Sequence, residues 1–186
     1  MSEHSSEKFW NRQFDLGGNT PAWWFDVAFS LRTAADVLES FKGPRTFKTK
    51  ETVTRSDYEK QSVGRVHAML LAMATECLLK ALWLKYGGTL AKDGKYYPIP
   101  KTTDHRLDQL ANAVSQKGAI SFTQQELEHL KRVSLWIASG RYPIPKNSQD
   151  NSTRHKAFIG DPFVKLRTFM QKLEKELGCT MNFESE

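Results

Sequence analysis

Residues 56–86 carry one long helical pattern whose apolar positions spread too far around the helix axis for a surface element. Ser56 and Glu59 form a capping-box pattern, S-x-x-E, which satisfies backbone N–H groups at a helix start. Gly87-Gly88 provides the C-terminal stop. Between these signals, Val63, Val66, Leu70, Met73, Cys77, Ala81 and Leu84 recur at helical spacing. Leu71, Ala74, Leu78 and Leu82 make a second stripe. A helix with one stripe lies on a surface, whereas two stripes require neighbours on several sides. Gly64, Ala72 and Ala74 leave room for close helix approach. The rest of the chain must supply the helices that cover this one.

Four further patterns do so. Thr20-Pro21 starts a helix by cap and first-turn proline, with Trp24, Val27, Ala28, Leu31, Ala35, Leu38 and Phe41 at helical spacing and Gly43-Pro44 as its stop. Asp104 is positioned to cap another, with Leu107, Leu110, Ala111 and Val114 inward and Gly118 at the end. Thr123 and Glu126 form a second capping box, opening a helix that should stop at Gly140. Asp161-Pro162 opens the last, through Phe163, Leu166, Phe169, Met170, Leu173 and Leu177 to Gly178. Residues 45–55 are expected to be an extended loop or hairpin arm and 88–102 a loop, and hardly any strand pattern appears. The fold class is therefore all-α: a single up-down bundle of about five helices, with a long loop before the last. The expected organisation is a mobile arm over 1–18, the bundle over 19–178 and a tail over 179–186.

Composition narrows the function classes. No apolar stretch of membrane-spanning length is free of charges, and the polar N-terminus has no apolar segment typical of a leader. Cys77 and Cys179 form no CxxC pair, so neither a zinc site nor a disulfide framework is expected, and a cytoplasmic setting is the simple reading. The five histidines show no metal-ligand spacing, and no Gly-rich phosphate loop or G-x-S-x-G motif occurs; no metal and no cofactor are expected. A net charge of +6 favours polyanionic partners such as RNA or nucleotides.

Glu76 and Lys80 sit four residues apart in the central helix and can pair on one face. They form either a partly exposed face or a buried pair that supports a site or a dimer seam. His67 reads first as a hydrogen-bonded structural histidine, and His105 either bonds locally near the helix start or points outward. The segment 141–160 carries Arg141, Lys146, Asn147, Arg154, His155 and Lys156 without clear secondary structure, and such long segments are often functional. Its cations suit a phosphate backbone, and His155 suits proton transfer. A solvated basic loop is the alternative. The pentapeptide YPIPK occurs at 97–101 and again at 142–146, where its prolines exclude helix.

Three segments resemble the HEPN superfamily, the higher eukaryote and prokaryote nucleotide-binding domains. ATECLLKALWLKYGG, residues 74–88, is similar to its central helix with Glu-x-x-x-Lys inside an apolar run. DHRLDQLANAV, residues 104–114, resembles its His-x-Leu-x-x-Leu helix. WIASGRYPIPKN, residues 136–147, resembles the Arg-Tyr-Pro that follows a helix in some members. The resemblance implies a four- or five-helix bundle, often dimeric, and a homodimer is expected. It also implies either a metal-independent ribonuclease of a toxin–antitoxin or antiphage system, with an antitoxin partner, or a non-catalytic module that binds RNA, nucleotide or protein. In the first case Arg141 would stabilise phosphate charge and His155 would act as general acid or base, with Lys146, Asn147, Arg154 and Lys156 holding substrate and the Glu76–Lys80 pair in support. Catalytic members carry Arg-x4–6-His, whereas here His155 lies fourteen residues after Arg141.

Overall fold

The computed structural model describes residues 3–40, 55–103, 105–118, 120–141 and 162–178. Six helices and one small hairpin appear among them. They are α1 (Glu3–Gly18), α2 (Pro21–Ser40), α3 (Arg55–Lys85), β1 (Ala91–Lys92), β2 (Lys95–Tyr96), α4 (Leu107–Gln116), α5 (Gln124–Arg141) and α6 (Pro162–Leu177). The protein is an all-α bundle, as the periodicity predicts.

α3 is the hub. Ala68, Leu71, Ala72, Ala74, Leu78, Leu79, Ala81 and Leu82 point in several directions, yet all are at most 1% exposed. That requires cover on every side, and α2, α4, α5 and α6 provide it. The stretch Gly64–Lys85 is long and apolar enough to cross a membrane by composition alone, but 67% of it is buried inside the bundle.

Side-chain pairs set the helix directions. Glu39 near the end of α2 meets His67 in the first half of α3, and Trp24 near the start of α2 meets Lys80 near the end of α3, so these helices are antiparallel. Arg32 pairs with Glu174, and Arg167 with Asp36 and Glu39, so α6 runs antiparallel to α2. Trp136 packs on Phe163, and Lys172 reaches Glu126, so α5 is antiparallel to α6. The long helices therefore alternate in direction through α2, α3, α5 and α6. The ends of α2 and α5 and the starts of α3 and α6 share one end of the bundle; the hairpin lies at the other.

Four expectations need correction. Residues 3–18 are a helix, and its last turn is fastened to the hairpin. The Asp15 carboxylate accepts the N–H groups of Asp93 and Gly94, and Asn19 accepts those of Leu90 and Ala91 while donating to the Ala91 carbonyl. The 88–102 loop contains a hairpin. Its Asp93-Gly94 pair, with φ of 55° and 71°, has the positive φ values that a two-residue primed turn needs. A Cβ on Gly94 would also strike the Asn11 side chain.

α4 begins at Leu107 with Arg106 at its N-cap, two residues beyond the Asp104 expected to cap it; Asp104 lies outside the described residues. α5 runs through Gly140 to Arg141. Other signals hold. Glu126 accepts from the Thr123 N–H while Thr123 Oγ1 accepts from the Glu126 N–H, which closes the capping box. Gly87, Gly118 and Gly178 take positive φ at three helix ends.

Candidate functional site

Glu76 sits on the stretch of α3 that faces the 97–106 segment. Its Oε1 lies 2.8 Å from Lys80 Nζ, one helical turn on, and its Oε2 lies 2.8 Å from His105 Nδ1. The Glu76 side chain is only 10% exposed and that of Lys80 13%, while His105 is at the rim with 36%. The Lys80 ammonium lies 4.8 Å from the Trp24 ring centroid and 5.4 Å from that of Tyr96. The two aromatic rings replace part of the hydration that Lys80 gives up. This is the buried alternative for the Glu76–Lys80 pair, with a histidine added.

The electrostatics follow from that enclosure. Burial pushes the Glu76 carboxyl upward, but the Lys80 charge and the bonds from His105 and Lys80 more than reverse this, so it titrates below its ordinary value. Burial pulls Lys80 down, and attraction to Glu76 overrides it, so the ammonium is held above its ordinary value. The neighbouring Cys77 thiol is pushed up to about 12, chiefly by burial, and is unreactive as a nucleophile.

The arrangement has one chemical option. With Nδ1–H given to the Glu76 carboxylate, the imidazole is fixed in orientation and tautomer. Its cost is local backbone strain, because His105 has φ of 64° and Lys101 φ of 60°. The sequence did not link His105 to Glu76. The D-H-R triplet before α4 reads as a cap, whereas the chain turns there to carry the imidazole back onto α3.

Arg141 is the last residue of α5, two helical turns or about 10 Å beyond Ser134, whose Oγ accepts the Leu107 N–H. Its side chain, and all of Lys146, Asn147, Arg154, His155 and Lys156, lie outside the described residues. Glu76 lies nine residues, about 13 Å, along α3 from His67 towards the hairpin. The structure thus places the Glu76 cluster away from the bundle end where α5 finishes. His67 is fully buried at that end, against Phe163 and within 3.7 Å of Glu39, in keeping with a structural role. An open groove of about 590 Å³ lies elsewhere, between α1 and the hairpin, lined by residues including Lys8, Arg12, Asp15 and Asp93. Its Asp15 is already engaged by the hairpin amides, so the groove adds no acid–base pair to the cluster.

The bundle end has its own character. Two stretches, 41–55 and 141–161, join helices there, and together they hold nine Lys and Arg against three acids. That accounts for the entire net charge of +6, because the remainder of the chain balances at 18 against 18. Basic charge is thus tethered to one end of a neutral bundle. The chain was compared with family models, curated proteins and solved structures, and none matches.

Proposed function

We propose that this chain is a HEPN-like, cytoplasmic domain that binds RNA at the end of the bundle where α2 and α5 finish and α3 and α6 begin. The concentration of the whole net charge on the two stretches joined there carries this reading. Phosphate contacts by Lys and Arg release condensed counterions and supply most of the affinity of sequence-tolerant nucleic-acid binding. The central helix with Glu76-x-x-x-Lys80, and the His105 that returns to it ahead of α4, also support the resemblance.

Within this reading Arg141 stabilises charge on a phosphate, and His155 takes the proton of the attacking 2′-hydroxyl, with no metal required. The test is cleavage of single-stranded RNA by the full chain in EDTA, beside Arg141→Ala and His155→Ala. Cleavage lost in both variants, with folding intact, supports the assignment. Cleavage that survives both sinks it.

The spacing of Arg141 and His155 favours a second reading, a binding module of the same fold without turnover. It predicts salt-sensitive RNA binding with no product.

A further inference from the structure

His129 lies on the second turn of α5, half-buried against the start of α6. Its ring bonds to the backbone of Pro162, the first residue of α6. Proline has no N–H, so the ring is the donor and the Pro162 carbonyl the acceptor. His129 Nε2 is enclosed and has no hydrogen-bond partner, so the donor is Nδ1–H. The same carbonyl opens α6, where it takes the Leu166 N–H on its other lone pair. Pro162, Phe163 and Leu166 are all buried, so this first turn belongs to the core.

A second proton on that ring has no place in the bundle. It would create an N–H on Nε2 that is enclosed, charged and without an acceptor. Among the described residues, the charges that reach the ring are Arg132, one turn on in α5, and Lys165 on α6, both positive. The acids on the same stretch of α5 are turned elsewhere. Glu126 bonds Lys172 and the Thr123 N–H, and Glu128 accepts from Gln124. No described charged group of α3 or α4 bears on the ring. Burial first, then Arg132 and Lys165, hold the imidazole below its ordinary value, and the Pro162 bond offsets them only in part.

We propose that His129 is a proton-operated latch on the start of α6. The neutral ring holds the Pro162 carbonyl. The imidazolium turns out to water, where its Nε2–H finds an acceptor, and the hold on Pro162 is lost. Because the folded-state value is depressed, the latch contributes fully above the ordinary histidine value, and its contribution is lost as pH falls through the folded-state value. Pro162 is also where the basic stretch 141–161 rejoins the bundle, so release lengthens the tether of that stretch at its α6 end. The latch is a property of the α5–α6 contact and stands whether or not the chain binds RNA.

Amide hydrogen exchange of the full chain tests it, read by mass spectrometry between about pH 7.5 and about pH 5 and corrected for the intrinsic pH dependence of exchange. Protection of the Leu166–Met170 amides should fall by up to about tenfold per pH unit below the ordinary histidine value. The Leu71–Leu82 amides of α3 should keep theirs, which separates the latch from acid effects on Glu76. His129→Asn keeps a donor for Pro162 but cannot titrate, so its α6 protection should stay flat. Lys165→Glu, at an exposed position, gives the imidazolium a carboxylate partner in place and should shrink the fall. It carries the comparison by itself if His129→Asn does not fold. Protection of α6 that is flat in the parent chain, or that falls as steeply in either folded variant, overturns the latch.

Discussion

The two ends of this bundle are built on different principles. At the hairpin end, connecting backbone is tied to helices by side chains. Asn19 holds Leu90 and Ala91, Asp15 holds Asp93 and Gly94, the Trp83 indole donates to the Thr89 carbonyl, and Glu76 grips His105. At the opposite end the described contacts are between helices: His67 and Trp136 on Phe163, and Arg167 forked between Asp36 and Glu39. The stretches that join helices there carry the net positive charge of the chain. Backbone spent on internal bonds stabilises the fold, while surplus charge of one sign is available to a partner. Stability should therefore respond to substitutions at one end and polyanion binding to substitutions at the other.

The sharpest way to break that division is Glu76→Ala. It strands a buried ammonium and an imidazole, and loss of one partner from a buried ion pair costs about 3–5 kcal/mol. The melting temperature should fall steeply by differential scanning calorimetry, while RNA affinity measured below the melt stays within a few-fold of the parent.

The same cluster gives a pH dependence. The Glu76 carboxyl is held below its ordinary value, so its stabilisation is present at neutral pH and is lost as pH falls through the folded-state value. Acid titration followed by circular dichroism should show wild type losing stability in the acid range, with Glu76→Gln lacking this component.

Next in size, alanine at Lys48, Lys50, Arg154 and Lys156 should cut RNA affinity by about 100-fold at low salt and reduce the slope of log affinity against log salt by roughly three. The melt should move little. Asn19→Ala removes three bonds to the hairpin backbone and should cost about 1–3 kcal/mol in denaturant unfolding, with RNA binding retained. The smallest effect is expected for Thr123→Ala, which opens the α5 capping box and should cost about 1 kcal/mol.

Much of this fold is legible from residue order because its signals are local. The two stripes on α3, the Thr123–Glu126 box and the glycines that close helices act within a few residues of themselves. α1 escaped because its partners lie more than 70 residues away on the hairpin. The hairpin escaped although Asp93-Gly94 is a strong turn pair, since Ala-Lys and Lys-Tyr on either side show no apolar alternation. The candidate site was half legible. Glu76 and Lys80 announce themselves by helical spacing, but the addition of His105 depends on left-handed backbone at Lys101 and His105, a conformation that propensities do not foresee. The gathering of basic charge is a property of topology. The two stretches are some 90 residues apart in sequence, and only the alternation of helix directions brings their attachment points together.

That gathering is the centre of the account, and photo-crosslinking of single-stranded RNA to the full chain, with the modified peptides read by mass spectrometry, tests it most directly. Crosslinks confined to peptides from 41–55 and 141–161 are the predicted result. RNA bound through the hairpin end, or no salt-sensitive binding at all, would contradict it.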